Sequence, residues 1–252
     1  MRRPFQATLL VLSGIGLLRV SLFTDLYLRY VKEGMRPLLI ASGALLILLG
    51  VADAVSYARR REGDEHDEHA DHGDSGHGHS HSGAPRTAWL LFLPALSLLF
   101  YAPPALGAYT ASRQPPKAIT HEDDFDPLPA TSPLPMTLSD FTRRVQQDRT
   151  RVIKGRTVQL TGFVTSDEQG DSWFLNRIVI SCCAADAQSV KVRIHRTSAP
   201  PANTWVAVTG TWHPGGTLGT SSAPAALDAR SVEKIAKPVN AYTDALPLTP
   251  TR

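Results

Sequence analysis

The chain has 252 residues, 42% of them hydrophobic, and a formal net charge of +3. That length holds a membrane anchor plus one modest domain, and the crowding of apolar residues into the first 110 positions argues against a single soluble domain. Acids and bases alternate along most of the chain without a long Lys/Arg block, so the basic balance does not call for nucleic acid as a partner.

Three apolar runs are expected to cross a bilayer. The first, at about 5–23, carries one charge, Arg19, near enough its end to snorkel. The second, at about 37–57, has Asp53 close to its end, and the third, at about 88–109, has no charge but three prolines, Pro94, Pro103 and Pro104. Each is about 20 residues long, enough for a hydrocarbon core of roughly 30 Å. A signal peptide is the alternative for the first run, but LRVSLFTDLYLRY follows where a small-residue cleavage site would be needed. Arg2 and Arg3 precede the first span, Arg59, Arg60 and Arg61 close the second, and Arg86 opens the third. The positive-inside rule then places the N-terminus and the second loop in the cytoplasm and the C-terminal half outside, against a modest counter-bias from Arg29, Lys32 and Arg36.

The second loop, 59–86, reads RRREGDEHDEHADHGDSGHGHSHSGAPR. It contains His66, His69, His72, His77, His79 and His81, six of the nine histidines, among seven acids. Neutral imidazoles bind Zn, Cu or Ni, and carboxylates can complete the coordination sphere. A flexible tract of this kind suits collection or delivery of a metal better than catalysis, which needs fixed geometry. The bland alternative is a solvated connector.

Residues 110–136 are rich in proline and acids and read as an extended linker. In TLSDFTRRVQQD, Leu138, Phe141 and Val145 fall at helical spacing behind a polar start, which predicts a short amphipathic helix. Five strands are then expected, in TVQLTGFV, WFLNRIVI, VKVRIH, TWVAVTGTW and ALDARSVEKI. The fold class is therefore α + β: three N-terminal transmembrane helices in 1–109, a linker in 110–136, and in 137–252 a small OB-like five-stranded β-barrel with a preceding short helix. The run GGTLGTSS, Gly215 to Ser222, lacks the ending of a phosphate-binding loop and reads as a mobile loop.

The only two cysteines are adjacent, in ISCCAADAQ. Neighbouring Cα atoms lie about 3.8 Å apart, below the usual disulfide range of roughly 4.4–6.8 Å. A Cys182–Cys183 bridge is thus a poor structural staple. If the preceding strand continued through them, their side chains would face opposite ways. A turn starting there would instead let Cys183 and Asp186 converge, with His195 or His213 as a further ligand. Packing of one thiol at a strand end is the competing reading.

The order of features resembles the YcgQ-like family of bacterial membrane proteins, described as small subunits of two-component permeases. The resemblance rests on the N-terminal spans, the His/Asp-rich loop, and the segments GRTVQLTGFV, WFLNRIVISCCAADAQSVKVRI and TWVAVTGTW. Its most specific element is the Cys-x-x-Asp run Cys183 to Asp186; where some relatives carry histidine, this chain has Cys182. That exchange of one metal-binding side chain for another adds weight to a second site made of Cys182, Cys183 and Asp186. The resemblance implies a larger multi-spanning permease subunit as partner. Ligand chemistry in the histidine loop makes a divalent ion, zinc first, the expected cargo.

Three functions compete on these observations. One is a non-enzymatic accessory subunit at the cell membrane; another is an envelope-anchored OB-like binding module using Phe163, Trp173 and Trp205, with an incidental histidine loop. The third is an enzyme, with Cys183 and His195 as nucleophile and base, but the chain has no P-loop, G-x-S-x-G, H-E-x-x-H or Cys-x-x-Cys. The expectation is that it is not an enzyme.

Overall fold

A computed structural model describes residues 2–64, 106–117, 120–121, 124–167 and 172–246 of the chain. It divides into two compact units, one of Met1–Arg19 and Ile40–Ala105, the other of Val20–Leu39 and Leu106–Arg252. The histidine loop and residues 88–105 of the third expected span lie outside the described residues.

The first unit is built on most of α1 (Arg2–Phe23) and of α2 (Arg36–Asp64), whose facing ends, Val20–Phe23 and Arg36–Leu39, fall in the second. Leucine, alanine and isoleucine dominate both, and their prolines, Pro4 and Pro37, fall in first turns where a missing amide costs nothing. The stretches Phe5–Phe23 and Glu33–Arg59, with mean hydropathy 1.6 and 2.3, are long and apolar enough to cross a membrane. Small residues let the two helices touch. A Cβ on Gly14 would lie 2.7 Å from the Gly43 carbonyl oxygen, and one on Gly43 would lie 2.9 Å from Leu18 Cγ.

In the second unit a short α3 (Ala108–Arg113) leads to β1 (Leu134–Pro135) and α4 (Leu138–Gln147). Then come β2 (Val158–Ser166), β3 (Trp173–Val179), β4 (Gln188–His195), β5 (Trp205–Trp212) and β6 (Ala226–Lys234). All five expected strands and the helix before them form. The sheet has six strands in the order β1-β2-β3-β4-β6-β5, and β2 also pairs with β5, closing the last five into a ring. Val158 faces Gly210 and Phe163 faces both Trp205 and Asn176 in antiparallel register. Trp173 faces Ile194, while β4 and β6 run parallel, with His195 opposite Asp228.

The strands bury both faces. Val158, Leu160, Val164, Leu175, Val192, Ile194, Val208 and Leu227 form one cluster with Leu138, Phe141 and Val145 of α4. Phe163, Ile178 and Trp205 form a second cluster with Ala108 and Ala111 of α3 and with Tyr242. This corrects the notion of Phe163, Trp173 and Trp205 as exposed stacking platforms: their relative exposures are 4%, 1% and 9%. For Phe163 and Trp205 the reason is the second layer, which covers the face that a one-sided alternation leaves wet, whereas Trp173 points into the main cluster.

The stretch expected to be an extended linker makes contacts with the sheet at its described ends. Leu134 and Met136 enter the main cluster, β1 pairs in parallel with β2, and Pro116 bridges to Ser189. The Gln114 side chain donates to Ala187 O at 3.2 Å and accepts from the Ser189 hydroxyl at 2.9 Å. The glycine-rich run is anchored as well: Leu218 is buried, and the Gly219 amide donates to Val145 O at 2.8 Å. Gly219 has φ +83° and lies against the Asp148 carbonyl, so its chain path requires glycine.

Candidate functional site

The cysteines sit where β3 gives way to β4. β3 ends at Val179, and a single 3-10 turn, Ala184–Asp186, reverses the chain before Gln188. The turn, rather than a continued strand, is the alternative that forms. Its organiser is Asp186, whose carboxylate accepts from the Ser181 amide at 2.9 Å and the Cys182 amide at 2.7 Å. A carboxylate four or five residues downstream thereby occupies amides that a strand partner would otherwise take.

The turn is also fastened from outside. The segment Val20–Leu39, which includes the end of α1 and the start of α2, belongs to the same compact unit, and within it two 3-10 turns, Leu26–Arg29 and Glu33–Met35, flank Tyr30–Lys32, where the backbone turns extended by Lys32. Val31 forms an antiparallel bridge with Cys183. The Lys32 amide donates to Cys182 O at 3.1 Å, and the Ala184 amide donates to Tyr30 O at 2.7 Å. Asn240 adds a side-chain hydrogen bond to Glu33 at 3.0 Å. Tyr27 and Leu28 are buried.

Both thiols are free; Cys182 is exposed and Cys183 half-buried. Their sulfurs lie 3.7 Å apart. The Asp186 carboxylate, followed by the Cys183 thiol, pushes the Cys182 thiol up to about 11, while the same contacts with Cys182 and Ser181 hold Asp186 below the usual carboxylate range. At neutral pH Cys182 is therefore a protonated thiol, a weak nucleophile and a weak ligand.

His195 and His213 do not join this turn. His195 ends β4, and the turn precedes its first residue; eight residues of strand at about 3.3 Å each separate them. The suggested third ligand and the suggested Cys183–His195 pair are thus overturned by the length of a fully extended strand. At the far end the two imidazoles stack, with centroids 4.1 Å apart and planes 23° from parallel. Asp228 holds His213 Nδ1 at 2.7 Å and Arg196 Nε at 3.1 Å. Burial, and then the neighbouring His213, lower the pKa of His195. Near-parallel rings cannot both aim an in-plane nitrogen at one ion, so the cluster is not built for chelation.

Among the described residues, no group of three or more His, Cys, Asp or Glu is arranged to hold a metal ion. Cys182, Cys183 and Asp186 are brought together, but two of the carboxylate's acceptor positions are taken by backbone amides. His66, His69, His72, His77, His79 and His81 lie outside the described residues. The docking of Tyr30–Lys32 had no signal in the sequence, because backbone pairing between distant segments leaves no composition signature.

The described chain is thus a mixed α+β protein, with apolar N-terminal helices followed by a mixed six-stranded sheet containing a five-strand ring. Residues 139–243, which hold nearly all of α4 and the whole ring, match the family model of the DUF1980 C-terminal domain. No curated protein matches the chain. Among solved structures it is similar to one described as an aspartyl-tRNA synthetase from Leishmania major Friedlin, at 14% identity and a TM-score of 0.24. That match covers 52% of this chain and 24% of the other. A likeness of this size carries no argument about fold or activity.

Proposed function

We propose that this chain is a non-enzymatic, membrane-anchored accessory subunit that works beside a larger multi-spanning permease subunit and collects a divalent ion, zinc first, on its histidine loop. The observation that carries the reading is the fastening of the Val20–Leu39 loop to the Cys182–Ala184 turn, which ties an extramembrane body to the connection between two apolar helices. Loop and ring therefore share one compartment. If α1 and α2 span, the N-terminus and the residues that follow α2 lie in the other, which supports a return crossing near 88–109. Together with Arg2, Arg3 and Arg59 to Arg61, this favours a cytoplasmic histidine loop and an extracytoplasmic ring. The closed ring, with the third and fifth of its strands parallel, favours the OB-like description. Burial of Phe163, Trp173 and Trp205 takes away the surface on which the rival binding-module reading relied.

Six imidazoles within the sixteen residues 66–81 supply the ligand chemistry. Cys182, Cys183 and Asp186 are proposed as a subsidiary site, to which a metal would bind only by displacing the Cys182 proton. The test is the zinc content of the full-length protein purified from zinc-supplemented cells. Replacing His66, His69, His72, His77, His79 and His81 by alanine is expected to remove most of the bound metal, and Cys182→Ala/Cys183→Ala a minor part. Unchanged stoichiometry in the histidine variant would remove the loop from the function.

A further inference from the structure

Between the two cysteines lies a single peptide group, and its carbonyl, Cys182 O, is the acceptor that holds the Lys32 amide. The next amide along, Ala184 N, makes the return hydrogen bond to Tyr30 O. Anything that turns the Cys182–Cys183 peptide therefore acts on the fastening of the first loop. The sulfurs stand 3.7 Å apart beside that peptide, and Cys182 is open to solvent.

We propose that Cys182 and Cys183 form a reversible redox modification site, closed to a vicinal disulfide by exchange with a low-molecular-weight disulfide, and that closure unfastens Tyr30–Lys32 from the turn. The chemistry balances without a further reagent. The exposed Cys182 thiol, deprotonated as pH rises above neutral, attacks the external disulfide as thiolate, forming a mixed disulfide and expelling one small thiolate. The thiolate of Cys183 then displaces the second small thiolate and completes the Cys182–Cys183 bond. The two cysteines lose two electrons to the external disulfide, and their two protons end on the two small thiols released.

Geometry links this step to the loop. The sulfurs must close from 3.7 Å to about 2.05 Å. Adjacent Cα atoms joined by a trans peptide are about 3.8 Å apart, short of the roughly 4.4–6.8 Å that disulfides span. The peptide between them must twist, and Cys182 O swings away from Lys32 as it does. The strain that makes this bond a poor staple makes it easily reduced, which suits a reversible modification. The remaining anchors of the loop, the Asn240–Glu33 hydrogen bond and the buried Tyr27 and Leu28, are not on that peptide, so the release is local. The proposal does not depend on metal binding.

The full-length protein in detergent, reduced and then treated at alkaline pH with oxidised glutathione, provides the test. The intact mass is expected to fall by two hydrogens with no glutathione retained. Deuterium exchange at the Lys32 and Ala184 amides should quicken on the order of tenfold, the scale of one lost backbone hydrogen bond or two, and dithiothreitol should restore both mass and protection. A stable glutathione adduct on wild type, or a disulfide with unchanged exchange at both amides, would overturn the proposal. Cys183→Ser, which cannot close the ring, should keep one glutathione on Cys182 and retain protection. Equal loss of protection in that variant would assign the effect to the bulk of the adduct and overturn the proposal equally.

Discussion

Asp186 does two things with one carboxylate. It closes the cysteine turn through the amides of Ser181 and Cys182, and by accepting the hydrogen bond of the neighbouring thiol, with its charge as a lesser contribution, it holds that thiol protonated, raising Cys182 from an ordinary 9.0 to about 11. The sign gives a direct test. Thiolate, the reactive form, appears only as pH rises towards the raised value, so the alkylation rate of Cys182 in wild type should climb through pH 9 and level off near 11. Asp186→Asn keeps an acceptor oxygen for the turn but removes the charge, so its alkylation profile should shift to lower pH and run several-fold faster around pH 9. Iodoacetamide labelling followed by peptide mass analysis measures both curves. Superimposable profiles would show that Asp186 acts on the backbone alone.

At the scale of elements, the strands and α4 were legible because their signals are local. Leu138, Phe141 and Val145 repeat at helical spacing, Thr137 accepts from the Asp140 amide at 3.0 Å as an N-cap, and the strand runs are rich in valine, isoleucine and threonine. What escaped was long-range. The Asp244 carboxylate accepts from the Leu138 and Ser139 amides at 3.2 and 2.7 Å, tying the C-terminal segment to the start of α4. Nothing near Asp244 in the chain announces that partner. The candidate site divides the same way: the turn at Cys183–Asp186 was among the local alternatives, whereas its distance from His195 followed only from how the strand ran. The helix pair makes an element-scale prediction. Gly14→Val would force a Cβ to within 2.7 Å of the Gly43 carbonyl, while Gly16 has nothing within 4 Å of its own Cβ position. Gly14→Val should therefore destabilise the full-length protein by about 1–3 kcal/mol, with Gly16→Val clearly milder, as read from thermal unfolding in detergent. Equal effects would mean that the glycines matter for helix propensity rather than for contact.

For the molecule as a whole, the question is where the folded C-terminal body begins. Composition placed the boundary near residue 137, because a proline-rich, acidic stretch has too few large apolar residues to make a core of its own. It need not make one; it completes one. Leu134 and Met136 are 3% and 2% exposed inside the main cluster, and β1 delivers them there by pairing with β2 at Leu134↔Val158. Upstream, the Lys117 amide donates to Ser189 O at 2.8 Å and Lys191 Nζ donates to Gln114 O at 2.7 Å, so β4 receives partners along a part of its edge that β6 does not reach. These residues behave as core despite the sequence around them. Leu134→Ala and Met136→Ala should each lower the stability of the full-length protein by about 2–5 kcal/mol, the range for emptying a closed apolar site. Val239→Ala, at a side chain 66% exposed, should stay within about 0.5 kcal/mol of wild type. Thermal unfolding followed by the ring's tryptophan fluorescence separates the cases. Wild-type stability in Leu134→Ala would return 110–136 to the status of a linker laid on the surface, and a loss matching the prediction would move the start of the folded body upstream of residue 134.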